Sequence, residues 1–191
     1  MIYRIITAAG LLILIAMQVN FFRKYGPDFL IYFAKRLRIV KLSRLFAYLL
    51  GLVSFMILAL SAMVPVIWGA DYLTGIMLIF HVTLAPVFAG MVAVFVILTG
   101  HHMTFSRQDL QAIRMRSLHL NSFLWQKIIF WLFSICAVIS AVSIILMLFP
   151  LFGTEGQQVL LDIHRSAALF LVILAALHFW LFESIDRVHD S

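Results

Sequence analysis

Polar and apolar positions in this chain are not interleaved; they are sorted into five long apolar blocks separated by short polar stretches. The blocks run from Ile5 to Phe22, Leu45 to Trp68, Leu73 to Gly100, Ile128 to Phe152 and Val159 to Phe182. A helix of about 20 apolar residues crosses the roughly 30 Å of a bilayer's hydrocarbon. It also satisfies its own backbone hydrogen bonds where no water can. Each block therefore predicts a transmembrane α-helix. The first is the shortest and could be taken for a signal peptide. It lacks a strong basic n-region and an A-x-A-like cleavage site, so it reads as a retained span. The short stretches "GADY" and "GTEGQQ" join the second block to the third and the fourth to the fifth, which makes each pair an antiparallel hairpin.

Composition agrees: 64% of residues are hydrophobic and 12% charged, with a mean hydropathy of +1.10. Those values exclude an ordinary soluble domain. A pI near 9.9 would suggest nucleic acid in a soluble protein. Here the basic residues lie between apolar blocks, so they report membrane topology and no nucleic-acid partner is expected. Seven Lys and Arg fall between Arg23 and Arg44 and four between His101 and Lys127, against only Arg4 and Arg165 on the opposite side. The positive-inside rule then places the N-terminus outside and both basic loops and the C-terminus in the cytoplasm. Within the first basic loop, "FLIYFAKRLRIVKL" mixes apolar and basic residues and is expected to lie on the membrane lipid as an interfacial helix. The single cysteine, Cys136, excludes an intrachain disulfide, a CxxCH haem attachment and an iron–sulfur site.

Within this frame the histidines stand out, because an ionisable group inside a span is costly and reads as functional. His164 and His178 lie fourteen residues apart. That is about 40° short of four full helical turns and about 21 Å along the axis, so both share one face, one near each membrane edge. His81 lies about as deep in the third block as His164 does in the fifth, and those two blocks run in the same direction. Two imidazoles at one depth on neighbouring helices are how a bundle holds a b-type haem, with the ring between the helices. Small residues nearby (Ala85, Gly90, and Ser166 to Ala168) would let a macrocycle approach the backbone. The competing reading makes each histidine an interhelical hydrogen-bonding group. Matched depths and the fourteen-residue spacing favour ligands.

Three segments carry a family resemblance: "RLFAYLLGLVSFMILALSAM", "LIFHVTLAPVFAG" and "LDIHRSAALFLVILAALH". With them the last four blocks resemble the cytochrome b subunits of respiratory formate dehydrogenase and nickel–iron hydrogenase. The resemblance implies that His81 and His164 ligate an outer haem b, and that His178 shares an inner haem with a histidine of the bundle's first helix. It further implies a quinone site on the inner side and a partner redox subunit, an iron–sulfur or multihaem cytochrome protein. One departure matters. The first-helix motif runs Arg, two residues, then His, whereas this chain reads Arg44-Leu45-Phe46-Ala47.

The residues leave the inner end open. Phe95 stands where a histidine fourteen residues after His81 would be. His102 would face within about 60° of His81 on an ideal helix, but about 31 Å away along the axis, some 10 Å deeper than His178. Without an inner haem, an electron on the outer one would face a gap of about 20 Å to an inner quinone site. His178 is therefore either a second iron ligand or a neutral imidazole serving a quinone. Arg165, beside His164, either pairs with a haem propionate or snorkels to the headgroups. Trp68, Tyr72, Trp125 and Trp180 fit an interfacial belt. The inner loop "TFSRQDLQAIRMRSLHLNS" is expected to be a solvated connection or a subunit-docking segment. His119 and His189 fall in water-exposed stretches, with no role expected.

The expectation is thus an all-α integral membrane protein. It has an N-terminal transmembrane helix (residues 1–22), a basic interfacial linker (23–43) and a four-helix haem-binding bundle (44–191). It would serve as a cytochrome b subunit between the quinone pool and a partner in a prokaryotic cytoplasmic membrane. A haem-free anchor or small transporter, with structural or proton-relay histidines, is the alternative.

Overall fold

The computed structural model describes residues 42–69, 73–114 and 122–189, with side chains over most of 46–180, and isolated positions between 5 and 23. The first expected span, residues 5–22, falls in that last region, where the described positions are helical. The body of the 23–43 linker, the Ala70–Tyr72 turn and His119 lie outside the described residues. Five α-helices follow: α1 (Leu42–Ile67), α2 (Gly75–Thr99), α3 (Arg107–Arg114), α4 (Ser122–Met147) and α5 (Gly153–His189). Single 3-10 turns occupy Gly100–Met103 and Pro150–Phe152. No strand occurs among the described residues. Four of the helices are long and apolar enough to cross a membrane, over Tyr48–Ile67, Gly75–Met103, Phe123–Met147 and Gly153–Trp180. The protein is an all-helical integral membrane protein.

Two compact units divide the chain, residues 1–95 and 96–191. In the first, α1 packs against α2 through Phe55 on Phe88 and Tyr48 on Phe95, with ring centroids 5.5 and 5.7 Å apart. The helices come close at Gly51, where a Cβ would stand 3.3 Å from the Cβ of Met91. In the second unit α4 packs on α5, and Leu124 and Val172 are among its fully buried side chains. Alanines 167, 175 and 176 line the buried stripe of α5, which suits helix association where packing replaces hydrophobic drive. Buried serines return their protons to the preceding turn: Ser54 to the Gly51 carbonyl, Ser134 to that of Phe130 and Ser143 to that of Ser140. Back-bonding of this kind lets a hydroxyl sit in an apolar helix without an orphaned donor.

The turn between the fourth and fifth spans lies earlier than expected. The "GTEGQQ" stretch is helical and opens α5, while the reversal occupies Leu148–Phe152. Pro150 begins the 3-10 turn, and it cannot continue a helix from the preceding residues. Gly153 turns the chain with φ of 63°, a value only glycine adopts cheaply. Glu155 then lies in the first turn of α5, where a carboxylate suits the helix dipole. Gln157 donates to the Phe149 carbonyl at 3.1 Å and ties the turn to the new helix.

Candidate histidine–serine sites

In the first unit His81 is half-buried on α2. Its Nδ1 lies 3.0 Å from Ser61 Oγ on α1, and the same hydroxyl is 3.0 Å from the Leu58 carbonyl. With the Ser61 proton on the Leu58 carbonyl, the hydroxyl oxygen is left to accept from an Nδ1–H of His81. In that tautomer the lone pair of the neutral ring falls on Nε2.

The second unit repeats the arrangement with different helices. His164, half-buried on α5, has its Nδ1 3.1 Å from both the hydroxyl and the backbone carbonyl of Ser140 on α4. The carbonyl again fixes the direction: Nδ1–H donates. The contacts of both histidines suit one tautomer, with Nδ1–H directed at a serine on the neighbouring helix. That is the state in which ligating histidines are held, the outer ring nitrogen donating to protein while the other faces the metal. Each histidine, taken within its own hairpin, thus has the donor chemistry of an axial haem ligand.

The remaining candidates are placed as follows. Arg165 is half-buried, with a guanidinium nitrogen 4.0 Å from Asp162 Oδ1 one turn earlier. His178 is exposed on α5 and stands edge-on to Phe179, with centroids 6.2 Å apart. His102 is beyond the end of α2, exposed in the 3-10 turn, with its ring edge-on to His101 at 4.8 Å. Ala47 is helical in α1. Nothing lies within 4 Å of the point where a Cβ would be at Gly90, so that stretch of α2 leaves room beside its backbone. Among the described residues no three His, Cys, Asp or Glu side chains converge on one metal-ion site; a haem asks for only two.

Ser61 and Ser140 were not singled out from the sequence, although a signal for them exists. Ser61 and His81 lie ten residues either side of position 71, and Ser140 and His164 twelve either side of position 152. Each pair is symmetric about its hairpin turn, and antiparallel neighbours equidistant from a turn share a depth. Once the turns are located, the shared depth is legible, though not which side chain at that depth faces the histidine.

A second polar cluster lies where α3 meets the start of α4. Ser106 and Asp109 cap α3 reciprocally, Asp109 N–H on Ser106 Oγ at 3.1 Å and Ser106 N–H on Asp109 Oδ2 at 2.7 Å. The same carboxylate oxygen receives Lys127 Nζ of α4 at 2.6 Å, with both side chains buried. The Lys127 bond, then the two from Ser106, hold the Asp109 carboxyl well below the usual carboxylate range, at about 2. Trp131 Nε1–H donates to the Met103 carbonyl at 2.9 Å, and its ring lies against Gly100. Lys127 is thus a buried anchor rather than a loop cation.

These features define the class: an all-helical integral membrane protein with a serine-held histidine in each of two helical hairpins. No family model, curated protein or solved structure matches the chain.

Proposed function

We propose that this protein is a membrane-embedded b-type cytochrome subunit, carrying electrons between the quinone pool and a partner redox subunit. His81 and His164 are its axial ligands. The observation that carries the reading is a shared contact: in both hairpins the histidine Nδ1 lies 3.0 or 3.1 Å from a serine of the neighbouring helix, a placement that suits an Nδ1–H donor and a lone pair on Nε2. A bound haem b supplies a one-electron ferric–ferrous couple. The chain's own part is to fix both imidazole planes through Ser61 and Ser140, and to surround them with apolar side chains. Arg165, next to His164 in sequence and 4.0 Å from Asp162, would pair with a propionate. His178 serves the quinone, either as a second iron ligand or as a neutral hydrogen-bonding group. The resemblance to the cytochrome b subunits of formate dehydrogenase and nickel–iron hydrogenase supports the same reading, and the excess of basic residues on one side supports the orientation. The N-terminus is then outside, Ile5–Phe22 a fifth span, and the membrane a prokaryotic cytoplasmic one.

The deciding experiment is the haem-to-protein ratio of the purified protein, read by pyridine haemochrome and a reduced b-type spectrum. A ratio of one or more supports the proposal. Haem-free protein, correctly inserted and made in cells replete with haem, supports the alternative: an anchor or small transporter whose His–Ser bonds only pack each hairpin.

The serines give a graded outcome. Ser61→Ala removes the acceptor of His81 Nδ1–H and is expected to weaken haem retention by roughly 10–100-fold, the usual effect of losing such a partner. The midpoint potential should rise, since a less basic imidazole stabilises ferric iron less. Ser140→Ala should do less on both counts, because the Ser140 backbone carbonyl still holds His164. Equal effects would show that the carbonyl bond is not the one that matters.

Topology offers an independent check. A reporter fused after Ser191 is expected to read cytoplasmic, and one inserted in the 148–152 turn before α5 external. Reversed signals would overturn the orientation and exchange the outer and inner edges.

A further inference from the structure

The short helix α3 has a one-sided arrangement that neither the spans nor the histidines use. At 100° per residue its side chains follow one another around the axis in the order Asp109, Ile113, Leu110, Arg114, Arg107, Gln111, Gln108. Asp109 is the buried member, locked to Lys127 of α4. Next come two apolar side chains that remain 39% and 56% exposed, Ile113 and Leu110. Two arginines follow, about 20° apart in projection, and then two exposed glutamines. Travelling round the helix, a probe passes from protein to apolar surface, to positive charge, to neutral polar surface.

We propose that α3 lies in the headgroup layer of the membrane, with Leu110 and Ile113 at the acyl boundary and Arg107 and Arg114 on acidic lipid phosphates. The order of side chains matches the order of environments across that layer: bundle, acyl chains, phosphates, water. Position argues for lipid over a protein partner. The apolar run through α2 ends at Met103 and that of α4 begins at Phe123, so α3 starts four residues beyond one span. Phe105 and Phe123, at the two exits, are themselves exposed, as interfacial aromatics are. The helix has no freedom to swing into solution, because Trp131 holds Met103 and Lys127 holds Asp109. Charge is complementary: two arginines face a surface on which anionic lipids concentrate, and basic groups near it gain attraction within a Debye length. This surface is independent of the haem reading and stands whether or not the hairpins carry haem.

The test uses the full chain in nanodiscs of phosphatidylcholine, with and without one-third phosphatidylglycerol. Nitroxide labels go on L110C, I113C and Q108C, each in a C136A background that leaves one reactive thiol. Labels at 110 and 113 are expected to collide several-fold more with lipid-soluble oxygen, relative to a water-soluble nickel chelate, than the label at 108. In the acidic discs that contrast should grow, and R107Q/R114Q should remove the increase. Labels at 110 and 113 as open to the chelate as that at 108 would overturn the proposal and leave the face waiting for a protein. Labels shielded from both reagents would also overturn it, showing cover by protein. Should C136A fail to insert, benzoylphenylalanine at position 110 with Cys136 kept gives the same decision: crosslinks to lipid support the proposal, and crosslinks to protein refute it.

Discussion

Alanine at His81 or at His164 is expected to abolish haem binding at the outer site while the protein still inserts and remains helical. On the proposed ligation each substitution would remove one of two axial donors, and the remaining imidazole would not hold the ring at the affinity of a pair. Insertion should survive, because apolar length and not the histidine sets each span. The serine left behind in each hairpin, Ser61 or Ser140, can return its proton to the helix backbone. The measurement is the reduced spectrum and haem ratio of purified variants beside wild type. A wild-type spectrum in His81→Ala would sink the ligand assignment. His178→Ala sorts the inner end in the same assay. Halved haem content makes His178 a ligand, with His102 the first partner to test. Full haem with impaired quinone turnover makes it a quinone or proton group. Full haem with full activity makes it structural.

Lys127→Met should loosen the inner loop more than any other single change to the polar cluster. It strips the Asp109 carboxylate of its counter-charge while leaving it buried, and an uncompensated buried charge is far more harmful than the loss of the pair as a whole. Cleavage by a protease between α3 and α4 is expected to rise by more than about tenfold, the consequence of breaking one partner of a buried pair. The double variant Lys127→Met/Asp109→Leu should recover part of that loss, since no charge is then stranded. Damage in the double equal to or above that in the single would show that the cap, not the ion pair, holds the loop. The pH dependence has a definite sign. Asp109 titrates at about 2 in the folded protein, against about 4 for a free aspartate. A depressed carboxyl contributes stability that is fully present above about pH 4 and is lost as pH falls toward 2. In Lys127→Met the largest cause of the depression is gone, so acid release of the loop should begin at higher pH than in wild type. Protease sensitivity followed between pH 2 and 6 in mild detergent would show the shift.

What the sequence determined by itself is the set of elements and their environment. An apolar block of membrane length has one stable backbone solution in lipid, so four of the five blocks could be read as spanning helices without knowing what they touch. The positions of His81, His164 and His178 within the blocks were legible for the same reason: depth in a membrane helix is counted residue by residue. The turn before α5 was displaced because "GTEGQQ" is polar, and polarity resembles a loop; Pro150 and the left-handed Gly153 decide the reversal instead, through backbone sterics. Only the tertiary structure decided which group each histidine meets. Ser61 and Ser140 lie 20 and 24 residues from their partners, and nothing in a helical repeat says which side chain of the next helix faces across. The same holds for Lys127, which reads as one more basic residue of a loop until Asp109, 18 residues away, is found against it. Tautomer and ion pairing depend on distances of about 3 Å between helices. Such distances follow from how helices pack, and packing is a property of the folded chain.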